Sequence, residues 1–313
     1  MTVLIDRQRG LDPVVVQQVH RLVTVAAAVD GVTPLSGHVL DDLGAADDDF
    51  RIVRGATGDG PIVGIAVRHR DDPAELLVHP DFRCRGIGRA LLDDLLVDDA
   101  PVWAHGDLVA AQALSAAAGL IPVRTLLQLR HSLPVTGDTD VRLPDGVRLR
   151  TFVVGQDEEQ FLAVNARAFA WHPEQSRLDA AGLAGEMAQD WFDPAGFFLA
   201  VCGNTADSDT GTNLDTVLGF HWTKVHPMDP TPQASSEPAS TDPVGEVYVL
   251  GIDPESPIRG LGTPLTAAGL DHLAGLGLST VLLYVEGDND RALALYRRFG
   301  FRTAVTDRVY ASS

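Results

Sequence analysis

The sequence predicts an α/β protein of two related domains, each a mixed central sheet flanked by helices. Residues 76–92 and 249–265 both read as a strand, a turn that contains proline, a Gly-x-Gly sequence and the start of a helix. The two copies lie far apart in a chain of 313 residues, which exceeds the usual size of one domain. This spacing indicates a duplicated domain rather than a solenoid of short repeats.

The predicted order of elements supports the duplication, because each half alternates helices and strands in the same order. We expect the first domain to span residues 1–135 and the second residues 147–313, with turn formers concentrated over residues 131–146. Hydrophobic periodicity predicts helices over residues 13–28, 37–43, 86–97, 108–118, 158–169, 176–189, 260–274 and 289–298. It predicts strands over residues 50–53, 62–67, 75–78, 196–201, 217–223, 246–252 and 281–285. Two polar inserts, residues 204–215 and 227–243, are rich in Pro, Ser, Thr and Asp and are expected to be disordered loops.

Composition excludes several classes of partner. The chain has 43 acidic and 24 basic residues and a formal net charge of −19, whereas nucleic acids and anionic membranes need a basic face. Its two cysteines, Cys84 and Cys202, fit neither a disulfide framework nor a metal site. The opening residues MTVLIDRQRG lack the pattern of a signal peptide, and the apolar run over residues 23–29 is too short to span a bilayer. We therefore expect a cytoplasmic monomer that acts on small molecules without a metal.

The first Gly-x-Gly turn has the character of a phosphate site. Residues 83–88 read Arg-Cys-Arg-Gly-Ile-Gly between a predicted strand and a predicted helix. Glycines allow positive φ and a close approach of the backbone, and the free amides of a helix N-terminus then point at a pyrophosphate. Arg83, Arg85 and Arg89 add local positive charge. A Walker loop and a Rossmann fingerprint are disfavoured, because no Gly-Lys-Ser/Thr, third glycine or later ribose-binding acid follows.

The second turn differs in one respect and is followed by different chemistry. Pro257 stands where the first copy has Arg83, and because proline lacks an amide hydrogen, we expect weaker binding there. Asn289, Ala292 and Tyr296 follow at i, i+3 and i+7, which places them on one helix face. By periodicity alone, Tyr296 fits a buried core residue.

The phosphate turn and the distal N…A…Y…GF helix together resemble the GNAT superfamily of acetyl-CoA-dependent N-acetyltransferases. The resemblance implies two tandem GNAT domains. It also implies that Tyr296 protonates the departing CoA thiolate and that Asn289 helps to hold acetyl-CoA. The first half has Leu108 and Ser115 in place of these residues, so we expect it to bind acetyl-CoA without transferring from it; the alternative is that it binds no ligand.

Glu246 is the candidate general base. It begins the strand that leads into the second phosphate turn, where strand alternation places Glu246, Tyr248 and Leu250 on one face. A solvated carboxylate at a strand start is the alternative interpretation. A peptide-type α-amine has a pKa of about 7.7–8.0, so its deprotonation at pH 7 costs only about 1 kcal/mol and the base need not be strong. We expect direct attack of the amine on the thioester, with Glu246 as base and Tyr296 as acid.

Longer strings narrow the resemblance. FAWHPEQ (169–175), GFHWTKVHP (219–227), GEVYVLGIDP (245–254), LLYVEGDN (282–289) and WAHG (103–106) are similar to the mycothiol synthase family. This resemblance covers nearly the whole chain and implies acetylation of the cysteinyl amine of a cysteine–glucosamine–inositol pseudodisaccharide (Cys-GlcN-Ins). It implies substrate contacts from Glu174, Lys224, Glu246 and Tyr284. Relatives commonly place an acidic ligand residue where this chain reads Leu35-Ser36-Gly37-His38, so a substrate contact from the first domain is not part of the prediction.

The resemblance also implies which residues hold acetyl-CoA. Strand residues pair with the pantetheine arm, the turn holds the pyrophosphate and the last helix flanks the thioester. In the second half these are Leu250, Gly251, Ile252, Pro257, Ile258, Arg259, Gly260, Leu261, Gly262, Thr263, Asn289, Asp290, Arg291, Ala292, Leu293 and Ala294. In the first half they are Leu76, Leu77, Val78, Cys84, Arg85, Gly86, Ile87, Gly88 and Arg89.

Other functions stay open on the residues alone. One is a GNAT acetyltransferase for protein N-termini or another small amine, which needs an open peptide groove. Another is a non-catalytic acyl-CoA-binding module, which the first half by itself suggests. From the residues alone, Lys224 also fits a surface charge and Tyr284 fits sheet packing. His172, His221 and His226 lack metal-ligand spacing with acids, so we expect them to support either the fold or the residues that contact the ligand.

Overall fold

The computed structural model describes residues 3–44, 48–55, 60–69, 72–135, 141–171, 177–203, 215–227 and 242–312. Within these residues, twelve strands form one sheet that helices cover. The strands are β1 (Asp6–Arg9), β2 (Asp49–Arg54), β3 (Ile62–Arg68), β4 (Ala74–Val78), β5 (Val102–Ala104), β6 (Ile121–Ser132), β7 (Val147–Thr151), β8 (Phe197–Cys202), β9 (Thr216–His226), β10 (Val244–Ile252), β11 (Thr280–Glu286) and β12 (Arg302–Ala311). The α-helices are α1 (Pro13–Asp30), α2 (Gly37–Asp41), α3 (Ile87–Leu96), α4 (Val109–Ala117), α5 (Glu158–Ala168), α6 (Ala180–Met187), α7 (Gly262–Gly275) and α8 (Asp290–Arg298).

Helices lie on both faces of the sheet, because neighbouring strand residues point to opposite sides. In β3, Ile65 joins the core under α1, whereas Ala66 joins the core under α3. In the second half, α5 and α6 cover one face, and α7 and α8 pack against the other.

The last strand of each half lies among the strands of the other half. The strand order is β1-β2-β3-β4-β5-β12-β6-β11-β10-β9-β8-β7. Strand β6 ends the first half and pairs antiparallel with β11, whereas β12 ends the second half and pairs with β5. Tyr310 accordingly lies in a core of the first half, and Leu129 lies in the core that contains Tyr296. The exchange places first-half side chains beside the central strands of the second half.

The ends of several elements differ from the prediction. Strands β1, β5 and β7 have no more than five residues, which is too short for a periodic signal, and β6 and β12 are also missing from the prediction. Strand β6 runs into the predicted junction, because its pairing with β11 continues to Ser132. Helix α6 begins at Ala180, because the side chain of Asp179 accepts a hydrogen bond from the amide of Gly182 and caps the helix. Residues 204–214 and 228–241 of the two predicted inserts lie outside the described residues.

Helix α7 approaches β9 through a glycine. A β-carbon built on Gly269 would lie 2.1 Å from Cε1 of His221, a fully buried residue whose Nδ1 donates to the carbonyl oxygen of Leu265 at 2.7 Å. Burial lowers the pKa of His221 to about 4, so the ring is neutral at physiological pH. We expect Gly269→Ala to lower the free energy of unfolding by about 1–3 kcal/mol, the usual effect of overpacking a core. Chemical denaturation measures it.

Gly275→Ala is the matched control in the same helix. A β-carbon at Gly275 meets no neighbouring atom within 4 Å. Since alanine is about 0.5–1 kcal/mol better than glycine inside a helix, this variant should be as stable as the wild type or slightly more stable. An equal loss in both variants would show that the contact with His221 does not set the helix position.

Candidate active site

Strand β10 is irregular at the centre of the candidate site. Its register with β9 shifts between Val247 and Val249, so Tyr248 is the extra residue of a β-bulge. Tyr248 packs in the aromatic core under α5 and α6, whereas Leu250 packs on the opposite face against the core of α7. The prediction that Leu250 shares a face with Glu246 and Tyr248 is therefore wrong, because the bulge shifts the alternation by one residue.

Strands β10 and β11 separate immediately after Glu246. They pair in parallel only at Gly245↔Val281 and Glu246↔Leu282. Beyond this point β10 pairs with β9, and β11 pairs with β6. Within the described ranges, the edge of residues 250–252 that faces the opening has no strand partner. This edge offers the backbone donors and acceptors that an extended ligand needs.

Glu246 lies at the start of this opening. The residue is only 7% exposed, and its Oε2 lies 2.6 Å from Nε2 of His226. Lys224 lies directly across from it on β9. The other carboxylate oxygen of Glu246, Oε1, has no hydrogen-bond partner among the described residues. A shielded carboxylate with one oxygen held and one open is suited to accept a proton from an amine.

Lys224 is held beside two aromatic rings. Its Nζ lies 4.4 Å from the ring centroid of Trp191 and 4.9 Å from that of Tyr248, within the range of a cation–π interaction. Burial raises the pKa of Tyr248, and the neighbouring Glu186 raises it further, so the phenol stays protonated. The ring of Trp222 extends this aromatic floor, 5.5 Å from Tyr248. The ammonium group of Lys224 is thus fixed near Glu246.

Tyr284 connects the site to the first half. It is 46% exposed on β11, and its hydroxyl accepts a 2.9 Å hydrogen bond from Nε2 of Gln128 on β6. Oε1 of Gln128 accepts in turn from Nε of Arg130 at 3.1 Å. Desolvation raises the pKa of Tyr284, and the nearby Glu246 carboxylate adds to the rise. Sequence reasoning missed Gln128 and Arg130, because it assigned no strand to this segment. The alternation of apolar and polar residues in LQLRHS was the available signal.

Tyr296 lies on α8, and Asn289 is the residue that caps the start of this helix. The side-chain oxygen of Asn289 accepts from the amide of Ala292 at 3.1 Å and caps the helix, which leaves its NH2 group for a ligand. Tyr296 is 6% exposed, and its ring centroid lies 5.7 Å from that of Phe301. Among the described residues its hydroxyl has no hydrogen-bond partner. Burial raises the pKa of Tyr296, so it keeps its proton at neutral pH. Leu293 of the same helix is a core residue, 4% exposed.

The second phosphate turn carries a single arginine, Arg259. Arg259 is exposed, and no described carboxylate pairs with it. Gly260 has a φ of 84°, and α7 begins at Gly262, where the first amides have no acceptor within the helix. Leu261 is buried in the core at 1% exposure, so only its backbone faces the turn. The guanidinium and the helix N-terminus both favour an anion here.

The first half has a cavity of about 510 Å³ at the matching opening between β4 and β5. These strands pair only at Ala74↔Val102 and Glu75↔Trp103 before they separate. The predicted ligand residues that line the cavity are Leu76, Leu77, Val78, Cys84, Gly86, Gly88 and Arg89. Ile87 is instead a core residue, 6% exposed, and Arg85 lies outside the lining. The volume is typical of a small-molecule site.

The arginines of the first turn are mostly engaged within the protein. Arg83 makes two 2.7 Å hydrogen bonds to the carboxylate of Asp30, and Arg89 donates to Asp93 at 2.7 Å. Arg85 alone has no carboxylate partner among the described residues. The prediction that all three add local positive charge is therefore wrong for Arg83 and Arg89, because each is neutralised by a neighbouring acid.

Glu75 is the first-half counterpart of Glu246, since both hold the same register against the next parallel strand. Ser36 donates its amide to Glu75 at 2.7 Å and its hydroxyl at 2.5 Å, so both carboxylate oxygens are occupied. Glu75 is 2% exposed. Burial favours a higher pKa for Glu75, but the neighbouring His105 ring and the hydrogen bonds from Ser36 outweigh it and lower the pKa. Unlike the carboxylate of Glu246, that of Glu75 has both oxygens held by hydrogen bonds within the protein.

The raised pKa of His105 predicts that the free energy of unfolding depends on pH. Burial lowers the pKa of His105, but the neighbouring carboxylates of Asp307 and Glu75 outweigh this and raise it from 6.5 to about 9. The charged ring therefore stabilises the fold fully below pH 6.5, and this contribution is lost as the pH rises through about 9. At about 1.4 kcal/mol per pKa unit, the contribution is on the order of 3 kcal/mol. Urea titrations should show stability falling across this window in the wild type. A His105→Gln variant with the same slope would contradict the assignment.

Some predicted residues are not in the described part of the chain. Glu174 and His172 lie outside the described residues. Within the described ranges, no helix has the length and apolarity to cross a membrane, and no group of three or more His, Cys, Asp or Glu side chains is arranged to hold a metal ion.

The chain is similar to known proteins over nearly its whole length. It is 43% identical to the mycothiol acetyltransferase of Nocardia farcinica over 311 residues, which cover 97% of this chain and 96% of the relative. It is 46% identical to the mycothiol acetyltransferase of Geodermatophilus obscurus, with 95% and 94% covered. The chain belongs to the mycothiol acetyltransferase family. The model of the acetyltransferase (GNAT) family also matches, over residues 162–301. The predicted membership and the predicted acetyl-CoA-dependent N-acetyltransferase activity are confirmed.

Solved structures confirm the predicted tandem GNAT fold. A GCN5-related N-acetyltransferase from Sphaerobacter thermophilus has a TM-score of 0.64 at 21% identity, with 99% of this chain and 96% of that chain covered. A tandem GNAT protein from the clavulanic acid biosynthesis pathway has a TM-score of 0.61 at 20% identity, with 98% and 97% covered. At these identities the likeness concerns the fold alone.

Proposed function

We propose that this family member transfers the acetyl group of acetyl-CoA to the cysteinyl amine of Cys-GlcN-Ins, which gives mycothiol and CoA. The observation that carries the proposal is the cluster of Glu246, Lys224 and Tyr284 where β10 and β11 separate. The cluster combines a carboxylate with an open oxygen, an ammonium group and a partly exposed phenol. This set suits a ligand that has one amine and many hydroxyl groups. Glu174 completes the proposed substrate contacts.

Glu246 is the proposed base. Its open Oε1 accepts the proton of the amine, directly or through a water molecule, as the nitrogen bonds to the acetyl carbon. Its burial keeps bulk water away from one side of the carboxylate, and Lys224 balances the charge across the strand pair. Glu246 accepts the proton of the amine, whereas Lys224 donates hydrogen bonds to the hydroxyl groups of the acceptor.

Tyr296 is the proposed acid. Acetyl-CoA supplies the acetyl group as a thioester, and the carbon–sulfur bond breaks as the amide forms. Tyr296 then donates its hydroxyl proton to the sulfur, so that neutral CoA thiol leaves. Its raised pKa keeps this proton in place until a thiolate develops beside it.

The two halves are proposed to divide the work, residues 1–135 as the binding half and 147–313 as the catalytic half. In the second half, residues 250–252 pair with the pantetheine arm, residues 257–263 hold the pyrophosphate and residues 289–294 flank the thioester. In the first half, the cavity binds acetyl-CoA without transfer. Ser115 occupies the place of Tyr296 on α4, and both oxygens of Glu75 are occupied.

The test offers the purified protein acetyl-CoA with Cys-GlcN-Ins and, separately, with peptides that carry a free N-terminal amine. Because the proposed acceptor carries its own thiol, CoA and product are followed by chromatography and mass spectrometry rather than by a thiol reagent. We expect CoA release coupled to a product acetylated on the cysteinyl nitrogen. CoA release only with peptides would overturn the proposed substrate.

A further inference from the structure

A histidine side chain contacts the carboxylate of the proposed base. His226 is the last residue of β9, two positions beyond Lys224, so both side chains point to the same face as Glu246. Its Nε2 lies 2.6 Å from Oε2 of Glu246. An ionised carboxylate only accepts hydrogen bonds, so Nε2 carries the proton of this bond.

Packing does not account for this contact. The side chain of His226 is 20% exposed at the end of β9. By contrast, His221 of the same strand is fully buried and sits against α7. The main described contact of the His226 ring is the carboxylate of Glu246.

The two halves use their equivalent carboxylates differently. In the first half, Ser36 donates to both oxygens of Glu75 and leaves none open. In the second half, a single donor, His226, holds one oxygen of Glu246 and leaves the other without a described partner. Since a carboxylate rotates freely about its terminal bond, one fixed oxygen also fixes the direction of the other.

We propose that His226 is the positioning residue of the base. Its Nε2–H donates to Oε2 of Glu246, and this bond directs Oε1 towards the amine of the acceptor. The inference rests on the proposed function of Glu246 as base. It adds a residue to the reaction that acts through Glu246 without touching the reacting atoms.

The experiment compares His226→Ala and His226→Gln, with acetyl-CoA and Cys-GlcN-Ins as substrates. We expect His226→Ala to lower kcat by about 10- to 100-fold, the scale of misplacing a reacting group by about an ångström, with KM for acetyl-CoA unchanged. Glutamine presents an amide N–H near the position of Nε2, so His226→Gln should recover most of kcat. His20→Ala, at an exposed position of α1, is the control for loss of a histidine.

A double-variant cycle provides a readout that a purely structural role would not give. If His226 acts through Glu246, adding His226→Ala to Glu246→Gln should lower kcat no further. Effects that multiply, a wild-type kcat in His226→Ala, or a glutamine variant no better than alanine would overturn the proposal. Wild-type protein is assayed in parallel. If it makes no N-acetylated product, the proposed function fails, whereas an active wild type with an equally active His226→Ala variant removes only the role of His226.

Discussion

Tyr296→Phe is expected to lower kcat by about 10²- to 10⁴-fold, the usual contribution of a general acid, and to leave the Kd for acetyl-CoA unchanged. The variant removes only the hydroxyl, whose described surroundings contain no hydrogen-bond partner. The ring remains in its core beside Phe301, so the fold should persist. Steady-state kinetics of the N-acetylated product give kcat, and calorimetry gives the binding of acetyl-CoA.

Ser115→Ala is the matched control, since Ser115 occupies the equivalent position on α4. Ser115 is 7% exposed and lines the first-half cavity. If the first half only binds, this variant keeps the wild-type kcat. A wild-type kcat in Tyr296→Phe, or a comparable loss in Ser115→Ala, would show that the acid is assigned to the wrong residue.

Glu246→Gln is expected to lower kcat/KM by about 100-fold at pH 7, because the amide cannot accept the amine proton. The loss should shrink by about tenfold as the pH rises to 9, since an amine with a pKa of about 7.7–8.0 then loses its proton to solvent. If Glu246 served only to remove the proton of the ammonium form before the attack, Glu246→Gln would show no loss of kcat/KM at pH 9. A pH profile of kcat/KM between 6.5 and 9 distinguishes the two cases.

Glu255→Gln controls for the removal of a carboxylate near the same strand. The side chain of Glu255 is 78% exposed, and its one ion-pair contact with a described residue is to Arg167, at 3.8 Å. We expect this variant to follow the wild-type profile throughout. Wild-type rates in Glu246→Gln at pH 7 would contradict the role of Glu246 as base.

Much of the site follows from local patterns in the sequence. The strand before the turn, the helix after it and the helix with Asn289 and Tyr296 were predictable, because each depends on a short periodic segment. The resemblance to a known family pointed to Lys224 and Tyr284, which the structure places near Glu246. The specific roles of these residues remain proposals.

The remainder depends on register and on long-range pairing. The contact between His226 and Glu246 needs the alignment of β9 with β10, and the bulge at Tyr248 reverses the face of Leu250. The ion pair of Arg83 joins residues 53 positions apart, so the basic string of the first turn looked more positive than it is. The local sequence of β6 does not indicate that it pairs with β11 rather than with β5. Apolar alternation predicts which face of a strand is buried, but not which strand lies beside it.

The exchanged strands β6 and β12 bring side chains of each half into contact with the other half. Gln128 from the first half donates to Tyr284, and Asp307 from the second half binds His105 in the first. Each half therefore contributes a polar side chain to the surroundings of the other half. The first half supplies a cavity and side chains beside the candidate acceptor site, whereas the second half holds the open carboxylate and the buried tyrosine.

The most direct test of this division is the rate of mycothiol formation by the Glu246→Gln/Tyr296→Phe double variant, in which the first half is intact. The measurement follows the N-acetylated product from acetyl-CoA and Cys-GlcN-Ins, with calorimetry to show that the variant still binds acetyl-CoA. A catalytic second half predicts that the double variant stays folded, retains acetyl-CoA and forms product at least about 10²-fold more slowly than the wild type. A rate close to that of the wild type would contradict a catalytic second half.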